Sequence, residues 1–135
     1  MSKPVKILAQ DEKWNRALIE KIQCDILVMN HSMPKHDTLR SLDVPYSDIS
    51  ARIAAKKKIA LAFDIKALRI LSPRERGREL ARIKQMIVLC RKASTPLSVL
   101  HAYTPEGARA LLRCLGASNE QASQATLIDN HYREL

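Results

Sequence analysis

Arg74, Arg78 and Arg82 recur at every fourth residue, and Arg76, Lys84, Arg91 and Lys92 lie close by in sequence. On a helix that spacing lines guanidinium groups along one face, where like charges cost about 0.2–0.5 kcal/mol per pair. Only Glu75 and Glu79 offset them locally. A phosphate backbone turns the liability into binding, because each guanidinium holds phosphate oxygens through paired hydrogen bonds. The chemistry these residues suit is electrostatic capture of RNA or DNA. The competing reading is a face that is merely solvated.

A catalytic reading has to be assembled from His31, His36, Asp64 and His101. Residues at strand C-termini and in the loops beyond them are where α/β enzymes keep their chemistry. The set is thin. His31 and His36 are five apart in a proline-containing segment, which is not a usual metal-ligand spacing, and no H-x-H, H-E-x-x-H or glycine-rich phosphate loop occurs. His101 is expected to be partly buried and bonded to backbone. Asp64 suits a site or an ion pair with Lys66 or Arg69 equally well.

The distribution of charge supports the first reading. Of a net +9 over 135 residues, the segment from Ala51 to Lys92 holds thirteen Lys and Arg against Asp64, Glu75 and Glu79, a local +10. Residues 1–50 balance and residues 93–135 come to −1. A concentration of this kind favours a polyanionic partner. Aromatic residues are only 4% of the chain, so contact through the nucleic-acid backbone and shape is expected over base stacking. Neither helix-turn-helix nor zinc-finger spacing is present. The longest apolar runs are too short to cross a bilayer, and Met1 to Lys6 lacks the apolar core of a signal peptide. Cys24, Cys90 and Cys114 stand singly in apolar sequence, which fits reduced thiols in a cytoplasmic core.

The elements that must position these residues alternate. Val5 to Ala9 reads as a strand. Asp11 to Gln23 reads as a helix with Trp14, Leu18, Ile19 and Ile22 on its buried face, and Asp25 to Met29 as a second strand. A long loop fills Asn30 to Pro45. A helix capped by Ser47 or Asp48 follows, burying Ile49, Ile53 and Ala54, and then a strand from Ile59 to Ile65. Ser72-Pro73-Arg74-Glu75 starts a helix running to about Ala93, with Leu80, Ile83, Ile87 and Cys90 inward and Met86 at the edge. Pro96 to Leu100 is a fourth strand. Thr104-Pro105 opens a helix that stops at Gly116, and Ser118 with Gln121 opens a last one carrying Ala122, Ala125 and Ile128. The order βαβαβαβαα makes residues 1–135 a single α/β domain whose βαβ units build a parallel sheet. Four strands are too few for a complete eight-stranded barrel, so the sheet is open or belongs to part of one.

The segment from Ile49 to Phe63, ISARIAAKKKIALAF, resembles the central helix and strand of the archaeal ribonuclease P protein component 3 family, related to the eukaryotic p30-type subunit. The resemblance continues through Lys66, Leu68, Ser72-Pro73, Glu75-Arg76 and Arg78-Glu79-Leu80, and around Leu111-Leu112, Leu115-Gly116 and Ala122. It implies a non-catalytic subunit with a partial, half TIM-like barrel that supports the RNA enzyme removing the 5′ leader of precursor tRNA. It also implies a small partner subunit, component 2, and contact with precursor tRNA only indirectly. Lys66, Arg69 and Arg76 would be first-line RNA contacts, with Arg74, Arg78 and Arg82 behind them. Magnesium ions would sit on the RNA, leaving the protein with no cofactor of its own. Family members are usually longer by N-terminal strand and helix units, so homodimerisation or docking on a partner is expected to cover the missing half. His101-Ala102-Tyr103 and Glu106-Gly107 depart from the family pattern. Two other readings stand beside this one. A metal-dependent hydrolase of the related phosphoesterase barrels would hold zinc or manganese on His31, His36 or Asp64. An open-sheet interaction module would bind no structured RNA.

Overall fold

The structure, a computed structural model, describes residues 5–128 and 133–134. Strands β1 (Val5–Leu8), β2 (Ile26–Val28), β3 (Ala60–Asp64) and β4 (Leu97–Leu100) pair side by side, all parallel. Two short strands, β5 (Thr126–Ile128) and β6 (Arg133–Glu134), flank them in the order β5-β4-β3-β2-β1-β6. The four central strands and their βα units are those expected from the apolar runs, and the sheet is not closed into a barrel. Its edges are strands of only three and two residues, and short edge strands limit edge-to-edge pairing.

Each helix starts where a side-chain oxygen accepts an otherwise orphaned amide hydrogen. Asp11 caps α1 (Glu12–Lys21), Ser47 caps α2 (Asp48–Lys57) and Asp64 caps α3 (Ile65–Arg69). Ser72, followed by proline, caps α4 (Pro73–Ala93), and Thr104 caps α5 (Pro105–Cys114) in the same way. Ser118 and Gln121 complete a reciprocal capping box on α6 (Asn119–Gln124). That last helix ends before Ala125, and Thr126–Ile128 pair with β4 instead, which corrects the expectation of a longer helix carrying Ala125 and Ile128. Backbone pairing along an open sheet edge outweighs the weak helical period of that segment.

The core lies where α1, α2 and α4 pack against the sheet, around Ile19, Leu27, Leu61, Ile83, Met86 and Ile87. Three faces turn otherwise than the apolar period suggested. On α1 the buried residues are Asn15 and Ile19, while Trp14 and Ile22 are 41% and 42% exposed. On α2 they are Ser50, Ala51 and Ala54, small side chains where α4 comes close, with Ile49 left exposed. On α4 Met86 is fully buried and Leu80 only half so. Cys24 and Cys90 are buried, and burial pushes the Cys90 thiol up to about 12 and raises that of Cys24, which keeps both as unreactive thiols. Cys114 is exposed, contrary to the core position expected of it, because it lies at the end of α5 away from the face that Ala108 and Leu112 bury.

Asn15 explains the rotation of α1. Its Oδ1 accepts from the Gln10 amide at 2.7 Å, and its Nδ2 donates to the carbonyls of Gln10 at 3.0 Å and Pro45 at 2.8 Å. The side chain thus ties the β1–α1 turn to the far end of the long loop. Asn15→Ala strands the Gln10 amide and the carbonyls of Gln10 and Pro45, so we expect a loss of about 2–4 kcal/mol in urea unfolding. A loss below half a kcal/mol would show that water replaces the side chain.

Candidate functional site

Parallel pairing brings the C-terminal ends of β2, β3 and β4 to one rim, with Val28 opposite Ala62 and Asp64 opposite Leu100. The chain leaves that rim through the loop of residues 30–45, through α3 and through residues 101–104. All four candidate chemical residues lie on these exits.

His31 is 4% exposed, and both of its ring nitrogens are engaged. Nε2 accepts from the Asp64 amide at 3.1 Å, which places the ring proton on Nδ1, and Nδ1 donates to Glu79 Oε2 at 2.6 Å. The other Glu79 oxygen takes a hydrogen bond from Arg82 Nη1 at 2.8 Å. Arg82 also donates through Nη2 to Asp37 and through Nε to the Asp43 carbonyl at 3.1 Å. Asp37 and Asp43 brace the loop in turn, accepting from the amides of Asp43 and His36. Burial alone would raise the Glu79 carboxyl, but the bond from His31, with Lys35 and Arg82 nearby, holds it below the ordinary glutamate range. The Arg82 hydrogen bond likewise holds Asp37 low. Lys35 is half-buried and donates to the carbonyls of Asn30 and Met33; burial lowers its pKa against the pull of Glu79. Between this loop and α4 lies an open cavity of about 400 Å³, lined by Lys35, Asp37, Arg78 and Glu79 among others.

Asp64 has three tasks at the middle exit. Its Oδ1 caps α3 by accepting from the amides of Lys66 at 3.0 Å and Ala67 at 3.3 Å, and it accepts from His101 Nδ1 at 2.8 Å. Of the two readings of Asp64, the ion pair with Lys66 or Arg69 is not formed; the carboxylate takes the backbone amides of Lys66 and Ala67 and a histidine instead. His101 bonds a carboxylate and not backbone, from a left-handed conformation with φ of 59°. His36 is exposed and contributes only its amide to Asp43. His31, His36 and Asp64 do not converge as a ligand set. Among the described residues no three His, Cys, Asp or Glu side chains are grouped to hold a metal ion.

The six basic candidates divide. Lys66 and Arg69 on α3 and Arg74 and Arg78 on α4 are exposed. Arg76 is half-buried; its Nε donates to the Leu68 carbonyl at 3.0 Å and its Nη2 to those of Arg69 and Leu71, each at 2.9 Å. It thus closes the C-terminus of α3 onto the first turn of α4, acting as a brace. Arg82 is 4% exposed and its fork is filled by internal carboxylates, so it does not belong to the exposed face expected for it. Helical geometry supplies the reason: a step of four residues overshoots one turn by about 40°, and two steps carry Arg82 from the solvent face towards the loop. Sequence reasoning missed Glu79 as the centre of this network and α3 as an element. The signal for α3 was Asp64 itself, a capping residue at the end of an apolar strand. Nothing in the local sequence marks Glu79, whose partner His31 is 48 positions away.

Among the described residues no helix is long and apolar enough to cross a membrane. No family model matches the chain, and neither does any curated protein. Its fold is similar to that of a chain in the cryo-EM structure of archaeal ribonuclease P with mature tRNA, with a TM-score of 0.73 and 22% sequence identity. The match covers 90% of this chain and 52% of that one, so this chain spans about half the length of its structural neighbour.

Proposed function

We propose that this chain is a protein subunit of ribonuclease P that binds and supports the RNA as it removes the 5′ leader of precursor tRNA. The observation that carries this reading is the fold likeness over nine-tenths of the chain to a chain of an archaeal ribonuclease P structure. The rim supplies the means. Lys66, Arg69, Arg74 and Arg78 stand exposed in a segment with a net +10, and α3, held on α4 by Arg76, keeps them together. Phosphates laid along this surface release counterions, which gives affinity that falls steeply with salt. Magnesium ions on the RNA do the cleavage chemistry, and the protein contributes position and countercharge in the cytoplasm. Component 2 of the family, or a second copy of this chain, is the protein partner that belongs to this reading.

Reconstitution tests the reading. Ribonuclease P RNA incubated with component 2 should remove the leader faster when this chain is added. The chain should also bind that RNA with a log–log salt slope of about −3 or steeper. Absence of both effects at physiological salt would overturn the proposal and leave an α/β interaction module without a nucleic-acid role. A hydrolase reading gains no support from the rim, because the nitrogens of His31 are already spent inside the protein.

A further inference from the structure

Tyr103 is 84% exposed in a chain with five aromatic side chains. Tyr46 and Phe63 are buried, as the hydrophobic effect favours for large rings. Tyr103 sits at the same rim as the basic residues, and the Arg69 guanidinium carbon lies 3.9 Å from its ring centroid. The cation covers one face of the ring and leaves the residue largely open to solvent.

The ring is mounted on a short, doubly anchored turn. Two residues before it, His101 holds a left-handed backbone, a conformation that is costly for a residue other than glycine and persists where surroundings enforce it. Its bond to Asp64 is that enforcement. One residue after it, Thr104 caps α5, its Oγ1 accepting from the Gly107 amide at 2.9 Å. Arg69 reaches the ring from α3, which Asp64 also caps. One carboxylate thus fixes both the turn that carries the tyrosine and the helix that carries the arginine.

We propose that Tyr103 and Arg69 form a stacking platform for a single unpaired nucleobase, next to the phosphate-binding cations of the rim. The proposal rests on reading the chain as an RNA-binding subunit and adds to it the recognition of an unstacked nucleotide. Planar bases stack on aromatic rings and on guanidinium planes. The exposed positive charges of Lys66, Arg69, Arg74 and Arg78 favour a polyanion over an apolar protein segment as the occupant. A platform already ordered in the free protein loses little entropy on binding. The low aromatic content of the chain pointed to backbone contact alone; one well-placed ring is enough for one base.

The test compares two RNA hairpins with the same stem, one fully paired and one carrying a single bulged adenosine, by fluorescence anisotropy at fixed salt. The wild-type chain should bind the bulged hairpin about tenfold more tightly. Tyr103→Ala should erase that preference with affinity for the paired hairpin unchanged, and Tyr103→Phe should retain it. Equal binding of the two hairpins by the wild-type chain, or a preference surviving in Tyr103→Ala, overturns the platform. A full preference in Tyr103→Leu would mark the contact as apolar, of the kind a protein partner makes, and overturns it too. If both hairpins bind equally, the stacking site fails while the RNA-binding reading stands. If neither hairpin nor ribonuclease P RNA binds, both fail.

Discussion

Arg82→Met should cost about 3–5 kcal/mol of stability. Removing one partner of a buried ion pair leaves the other charge without compensation, and here two carboxylates are left, Glu79 and Asp37. The Asp43 carbonyl loses its donor as well. Chemical denaturation of both proteins reads the difference, and a loss under 1 kcal/mol would mean that the loop of residues 30–45 relaxes to expose the carboxylates. The same network sets a pH dependence. Glu79 and Asp37 both titrate lower in the folded chain than their ordinary values of 4.5 and 3.8. Groups depressed by folding stabilise fully above the unfolded value, and that contribution drains away as pH falls through the folded one. The wild-type chain should therefore lose stability below about pH 4.5. Arg82→Met should lose less over the same interval, since Asp37 is no longer held low by the guanidinium, while His31 still holds Glu79.

Neutralising Lys66, Arg69, Arg74 and Arg78 together should do the reverse, leaving the fold intact and dismantling RNA binding. All four side chains are exposed. The rim carries like charges that repel in the absence of a polyanion, so the fourfold glutamine variant should be no less stable than the parent. If each residue holds one phosphate, the log–log salt slope against ribonuclease P RNA flattens by about 3. Filter binding from 50 to 300 mM salt would measure it (about the range where such slopes are read). An unchanged slope would move the RNA contact off α3 and the first turns of α4. Set beside Arg82→Met, the variant separates two kinds of arginine that a four-residue repeat makes look alike.

What could be read from the chain in advance was what is decided locally. Ser72-Pro73 and Thr104-Pro105 start helices because a hydroxyl and a ring-fixed φ act within one turn of the chain. The continuous apolar run at β3 announced a strand covered on both faces. Long-range partners were not legible. The period of α4 says which residues share a face, but it does not say that a loop anchored by Asp37 and Asp43 lies across Arg82. Asn15 lay outside the apolar stripe of Trp14, Leu18, Ile19 and Ile22, and it orients α1 through bonds to Gln10 and Pro45. The three-residue β5 carries no alternation that distinguishes it from a helix tail. At the candidate site the four exposed cations were visible as charge, whereas the tyrosine beside them became informative only once its exposure and its arginine were known.

Asp64 joins all three exits of the rim: its amide reaches His31 after β2, its carboxylate heads α3, and the same oxygen fixes His101 after β4. The spacing between neighbouring loops is consequently set by short bonds to one residue, with little left to the softer packing of side chains. Any molecule lying across these loops meets a surface of constant pitch, and a strain applied at one of them is felt at the other two.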